Sequence, residues 1–564
     1  MRKFYAAIFA LSFSLAHAQW TNGGTQVSFS PDYNQRAFVS AASKGSGYVV
    51  WSAMDTTSLG LSKVKLCSLD SNGVLRAGWT SGGITVSPAG NHYAPQILTS
   101  EDDGVIVVWY GFATGDSASQ VYAQKYSSVG VTQWNSGNPV KVSVGSANHH
   151  QYPIIVSDQR KGVFIAWNRY DYNRTPSSTD VLLQHIDSTG NVASGWPAGG
   201  TGVATLAGTR EYYPRLVLTP DLSSVYVAYA QGLIGNTSMQ LNKIDVATAT
   251  FASGWSSTPL TLSPGPNVYP EISHDVALYS DNTNSAVVLW LEARTSANGE
   301  LYMQNVNSSR SIQLTANGQQ LAGNTANGID YLEVKQDKNQ DLLIAFNNLE
   351  TFNDVAVMKV KTNGTVFFNY NPVTSGGKSA YPKAIPNGKK GMYVFYVNTN
   401  TPNKLYALDV DSTGTLVSGW TVPGSLFGSI NNYDGFNPNY DFHVMETVSG
   451  EAMIAWNRKI GSLFTVYACN LLPDGSVCHQ NNVGIHEYNS VQDFVLYPNP
   501  ATNRITISGS EKYYFTLYDM AGKLLEDKDL SGETRLDLSD YSRGMYFYRI
   551  SSNGESRTGK LVLQ

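Results

Sequence analysis

Side chains equipped for chemistry gather at recurring places in this chain. Four short segments are rich in Asn, His, Tyr, Arg and carboxylates: Asn91-His92-Tyr93, Asn148-His149-His150-Gln151-Tyr152, Arg210-Glu211-Tyr212-Tyr213 and Asn431-Asn432-Tyr433-Asp434. A tyrosine has an apolar ring face and a polar tip, which suits stacking on a sugar ring. Imidazole, amide and guanidinium groups then hydrogen-bond the sugar hydroxyls. Two further segments begin alike, Trp167-Asn168-Arg169 and Trp456-Asn457-Arg458. The candidate ligand-binding residues are therefore His92, Tyr93, His149, His150, Arg169, Asp171, Tyr212, Glu292 and Arg458. Each has a structural alternative. The Asn can cap a strand end, the Arg can pair with a carboxylate of the next repeat, and the His149-His150 pair is either a metal or acid/base site or simply exposed. Asp171 and Glu292 would form a glycosidase pair only at the separation that glycoside hydrolysis requires, which spacing in sequence does not supply.

No residue set names a catalytic mechanism, so catalytic residues are left unassigned. There is no G-x-S-x-G, H-E-x-x-H or phosphate loop. Asp409-Val410-Asp411 ahead of Ser412-Thr413-Gly414 has too few oxygens for a calcium loop and reads as turn aspartates. No metal and no cofactor is expected. The net charge of -5 over 564 residues comes without a basic stripe, which argues against nucleic acid as a partner.

The elements that position these residues repeat. Short apolar runs end on Trp51, Trp109, Trp167, Tyr229, Trp290, Phe346, Tyr396 and Trp456. A period this long is one supersecondary unit copied in tandem. In the third copy Gln151 to Ser157 is a strand opened by Tyr-Pro, and Gly162 to Trp167 is an apolar strand covered on both faces. A polar loop follows, then a strand from Asp180 to Ile186, a turn at Asp187-Ser188-Thr189-Gly190, Gly195-Trp196, and a fourth strand from Gly202 to Gly208. The candidate residues fall in the loops between second and third strands and between repeats. Four antiparallel strands repeated eight times predict an all-β protein built as a β-propeller of eight blades, with seven as the alternative. The tryptophans read as core.

The ends support closure of this ring. Trp20-Thr21-Asn22-Gly23-Gly24-Thr25-Gln26-Val27-Ser28 matches Trp79-Thr80-Ser81-Gly82-Gly83-Ile84-Thr85-Val86-Ser87, the end of the first copy. The eighth copy lacks that segment, so the N-terminal strand is expected to complete it and leave no loose edge. Cys469 and Cys478 flank Pro473-Asp474-Gly475, a turn that sets them opposite each other, and a disulfide is expected there. Cys67 holds the place of Cys469 in the first copy and reads as a buried free thiol.

Arg2-Lys3, an apolar run from Phe4 to Leu15 and Ala16-His17-Ala18 read as a secretory signal over residues 1–18. No later run is long enough for a transmembrane helix. Composition shifts near residue 480. The predicted division is a propeller over 19–480, a linker over 481–492 and a small β-sandwich over 493–564.

The last segment carries Tyr497-Pro498-Asn499-Pro500-Ala501, Leu517-Tyr518-Asp519 with Gly522-Lys523, Leu538-Ser539 with Tyr541, Gly544 and Tyr546, and a terminal Lys560-Leu561-Val562. It resembles the C-terminal sorting domain of the type IX secretion system. That resemblance implies the type IX machinery as a partner, with Tyr497, Pro498, Asn499, Pro500, Gly522, Gly544 and Lys560 in the sorting signal. It also implies passage across the outer membrane of a Gram-negative cell, followed by release or surface attachment. For the propeller the expected role is binding of a polysaccharide, glycan or surface protein through the loop face without catalysis. The alternative is a propeller glycoside hydrolase or polysaccharide lyase.

Overall fold

The computed structural model describes residues 20–564, apart from 21–23, 29–32, 43–44, 55–60, 146, 172–177, 207, 234–235, 266–275, 295–298, 324–327, 349–353, 374–378, 400–402, 431–441, 448–449, 461–462, 479–494, 509–511, 521 and 553–554. The expected signal (1–18), the linker (481–492) and the segment Asn431 to Asp434 lie outside the described residues. The chain divides into two compact units, Met1–Gln480 and Asn481–Gln564.

The first unit contains eight four-stranded antiparallel sheets. The third shows the plan: His149–Ser157, Val163–Asp171, Ser178–Ile186 and Thr201–Ala204, paired in that order. Its second strand is apolar because both faces are covered; Val163, Phe164, Ile165, Ala166 and Trp167 are all buried. Trp51, Trp109, Trp290 and Trp456 are buried at the same place in their own sheets.

Each sheet packs on the next. The first strands, such as Gly90–Thr99, His149–Ser157 and Glu211–Leu218, are adjacent in series, and Phe442–Glu446 of the eighth sheet returns to Tyr33–Ala41 of the first. Outer tryptophans repeat this hand-over. The indole N–H of Trp79 donates to Ser128 O (2.9 Å), that of Trp134 to Ser188 O (3.0 Å) and that of Trp196 to Val246 O (2.8 Å), each in the turn of the following sheet.

The eighth sheet takes its fourth strand from the other end of the chain. Thr25 pairs with Ala468 and Gln26 with Tyr467. Trp20 donates to Ser71 O of the first sheet (2.8 Å), as the other outer tryptophans do for their neighbours. Gly24 has a φ of 94°, and a Cβ there would sit 2.4 Å from the Trp456 ring; Gly83 meets Trp51 in the same way in the first sheet. Only a residue without a side chain lets the strand close over the indole.

The turns at one end of the sheets are held by aspartate and asparagine. Asp187 Oδ1 accepts from Thr189 N and Asn191 N, and Asp411 Oδ1 accepts from Thr413 N and Thr415 N. The penultimate residue of the third strand anchors the hairpin between first and second strands at the same end, as in Lys125–Asp102 (2.8 Å), His185–Asp158 (2.9 Å) and Lys359–Asp337 (2.9 Å). Asp409 is one of these anchors, accepting from Asn387 Nδ2 at 2.6 Å. Cys469 and Cys478 are bonded across their turn, and Cys67 is free and buried.

In the second unit one sheet contains Val495–Tyr497, Arg504–Ser508 and Thr534–Asp537, and a second is ordered Leu524–Ser531, Lys512–Tyr518, Gly544–Ser552, Glu555–Leu563. Ile505 and Ile507 of one share a core with Phe515, Leu517, Ile550 and Leu561 of the other. Asn499 ties the two ends together: its Nδ2 donates to Lys560 O (2.6 Å) and its Oδ1 accepts from Val562 N (2.9 Å). Gly522 takes a φ of 80° to close the turn begun by Asp519.

Candidate functional site

The candidate residues share one end of their sheets, opposite the aspartate turns, but on strands rather than in loops. His92 and Tyr93 lie in Gly90–Thr99, His149 and His150 in His149–Ser157, Arg169 and Asp171 in Val163–Asp171, and Tyr212 in Glu211–Leu218. Glu292 ends Ala286–Glu292, and Arg458 lies in Ala452–Ile460. The strands outrun expectation because the Tyr-Pro step is an internal bulge and not a strand start. Register shifts occur between Tyr93 and Gln96, Gln151 and Ile154, Tyr212 and Arg215, and Ala380 and Lys383. Proline has no N–H for the ladder and is tolerated in a strand at such a bulge. The preceding residue turns left-handed: φ is 46° at Ala94, 54° at Tyr152, 45° at Tyr213 and 59° at Tyr381. Non-glycine residues rarely adopt this conformation, and it gathers where structure serves a site.

The bulges bring tyrosine rings together across the inner strands of the second, third and fourth sheets. Ring centroids lie 5.8 Å apart for Tyr93–Tyr110, 5.3 Å for Tyr110–Tyr152, 6.3 Å for Tyr152–Tyr170, 6.3 Å for Tyr152–Tyr213 and 6.2 Å for Tyr212–Tyr213. Tyr152, at the centre, is 36% exposed. Of this arc Tyr93 and Tyr212 are among the candidate residues, while Tyr152 and Tyr213 stand only in the segments that carry them. The Tyr-Pro repeat was the available signal for Tyr152 and Tyr213.

The histidines do other work. Neighbouring residues on a strand point to opposite faces, so His149 and His150 do not form a chelating pair. His150 is buried, and its Nδ1 accepts the Trp167 indole N–H at 2.8 Å. His92 does the same for Trp109 at 3.2 Å. His149 lies against the Phe112 ring, with Nδ1 3.3 Å from Ser119 N. Among the described residues no three His, Cys, Asp or Glu side chains converge as metal ligands.

Burial disfavours the imidazolium and holds both His92 and His150 down at about 4; the Arg169 and His149 charges add to this at His150. The ordinary value is 6.5, so the unfolded chain takes up these protons first as pH falls. Stability present above that value should be lost between pH 6.5 and about 4, by roughly 3 kcal/mol for each histidine. Urea midpoints measured across this window should flatten in His150→Gln relative to the parent.

Asn168 caps nothing in its own strand. It reaches the next sheet, donating to Glu211 O (2.9 Å) and accepting from Tyr213 N (3.3 Å), and so pins the bulge. Asn347 accepts from Tyr381 N in the same way (3.1 Å). Arg169 pairs within its own sheet, with Nε 3.0 Å from Asp180 Oδ2, and Arg458 lies over the Tyr467 ring at 5.4 Å. Arg169 thus pairs within its own repeat and not with the next one. Glu292 is fully buried and satisfied by Ser263 Oγ (2.7 Å), Trp290 Nε1 (2.9 Å) and Arg294 Nη2 (2.7 Å). Asp171 lies part-buried at the end of its strand.

At this end of the sheets, Glu211 and Asp330 are perturbed upward. Glu211 is buried beside Asp180, and desolvation raises it. Asp330, on the first strand of the sixth sheet, is open to water yet crowded by protein, and desolvation again raises it. Beside it the Tyr331 and Tyr381 rings meet edge to face at 5.5 Å.

Comparison with known proteins adds one firm result. Residues 495–564 match the secretion system C-terminal sorting domain. The tail is thus a type IX sorting domain, and the protein is exported, to be secreted or held on the outer surface of a Gram-negative cell. No curated protein matches the chain. Among solved structures, an ulvan lyase of a polysaccharide lyase family, bound to a glucuronate–sulfated rhamnose saccharide, shares 9% identity at a TM-score of 0.42, covering 69% of this chain and 96% of its own. A Penicillium chrysogenum α-L-arabinanase complexed with arabinobiose shares 11% at 0.33, covering 60% and 98%. A protein of unknown function from Dyadobacter fermentans shares 12% at 0.33, covering 61% and 97%. TM-scores this low leave the architecture to be argued from this chain's own strands. No helix among the described residues is long and apolar enough to cross a membrane.

Proposed function

We propose that the protein is an exported eight-bladed β-propeller that engages an extracellular polysaccharide through its tyrosine arc. In this reading residues 1–18 are the signal, 19–480 the propeller, 481–492 the linker and 493–564 the sorting domain. The cyclic adjacency of the eight first strands and the borrowed fourth strand of the last sheet support the ring. One observation carries the ligand class: linked tyrosine rings cross three sheets and culminate in the solvent-exposed Tyr152. Rigid aromatics on fixed strands offer stacking area at low entropic cost. Binding of soluble polysaccharides to residues 19–564 should weaken about tenfold or more in Tyr152→Ala, a loss of about 1.4 kcal/mol, and survive in Tyr152→Phe. Binding indifferent to both changes would sink the assignment.

Cleavage of the bound glycan is the second reading, and Asp330 favours it. Asp330 is reached by water, and desolvation disfavours its charged form, the direction that a general acid requires. Release of new sugar ends from a bound polysaccharide, lost in Asp330→Asn with binding kept, would establish it.

A further inference from the structure

The sixth sheet breaks the repeat at the place where the others are filled. Its inner aromatic is Phe346, where five sheets have tryptophan. Seventeen residues earlier stands Ile329, at the position of His92 and His150 in their sheets. The outer strand differs too. Gly83, Gly200, Gly318 and Gly24 each meet a Trp ring tip, whereas the outer strand of the sixth sheet, Val366–Val373, carries Asn369, Tyr370 and Asn371 beside Phe346. The smaller ring lies under an open pocket of about 340 Å³. Ile329 and Phe346, both buried, form its apolar floor, and Asn348, Asn369, Tyr370 and Asn371 line its walls.

We propose that this cavity binds a single uncharged sugar ring, at a site separate from the tyrosine arc. Its volume falls at the small end of the range for small-molecule sites, about 300–1,000 Å³. None of the described lining residues is Asp, Glu, Lys or Arg, so they offer no counter-charge to a charged ligand. Amide side chains both donate and accept, matching sugar hydroxyls, and the partly exposed Tyr370 ring supplies a stacking wall. The proposal stands on this lining alone and does not require the arc to bind anything.

Calorimetric titration of residues 19–564 with D-galactose, D-mannose, L-arabinose and D-glucuronate tests it. At least one neutral sugar should bind saturably and more tightly than glucuronate. Tyr370→Ala, at a surface position, should weaken that binding about tenfold or more. Phe346→Trp should refill the floor and abolish it, and Tyr152→Ala should leave it unchanged. No saturable neutral sugar, tighter glucuronate, indifference to Tyr370→Ala, or loss in Tyr152→Ala would each overturn the site. Because the two tyrosine variants report on different sheets, this site and the arc fail separately.

Discussion

Deleting residues 20–28 should cost the first unit about 5 kcal/mol or more and collapse its cooperative unfolding transition. The segment is short, but it buries Trp20 at 2% exposure and Val27 at 4%. Loss of a buried tryptophan alone costs about 3–5 kcal/mol, and a buried valine adds about 1.5–3. The deletion also removes the closing strand of the eighth sheet. Val466 N then loses Ser28 Oγ (2.9 Å), and the Trp456 ring loses the cover of Gly24. An unpaired inner edge would be open to pairing with another chain. Net domain stabilities are typically about 5–15 kcal/mol, so the loss reaches the whole unit. The measurement is a urea curve on the truncated protein, with Trp20→Ala as the milder companion. A midpoint within error of the parent would show that the first unit does not depend on this strand.

Trp167→Ala should cost about 3–5 kcal/mol from the lost ring and the cavity behind it. A second penalty follows from the hydrogen bond. His150 Nδ1 loses its 2.8 Å donor while the imidazole stays buried, and an orphaned buried acceptor adds about 1–3 kcal/mol. Trp167→Phe keeps most of the ring but not the N–H, so it should show mainly the second penalty. In the double variant Trp167→Phe, His150→Leu the polar cost should largely vanish, because both partners are then apolar. Equal denaturation midpoints for Trp167→Phe and the double variant would mean that the hydrogen bond contributes little.

Much of the fold was legible because it is written locally. Each apolar second strand carries its own pattern, each turn its own Asp and Gly, and the match of Trp20–Ser28 to Trp79–Ser87 announces the borrowed strand. Cys469 and Cys478 were legible for the same reason, since one hairpin sets their separation. The site was less so. His149-His150 looked like a pair in sequence, yet the pleat sends the two rings to opposite faces. Arg169 looked free to reach the next repeat, yet the register places it opposite Asp180. Glu292 looked like a funnel acid, yet three donors close around it.

The amino-acid sequence by itself determined the repeating all-β unit, its apolar second strand and its turns, and the export signal at the end, because strand patterning and turn chemistry act over a few residues. Only the tertiary structure decided which side chains meet. A one-residue bulge reverses every facing beyond it, and its place is set by pairing with a neighbouring strand. The tyrosine arc and the Phe346 cavity both arise at that level. One comes from rings swung together by bulges in successive sheets, the other from a phenylalanine standing where five other sheets have tryptophan.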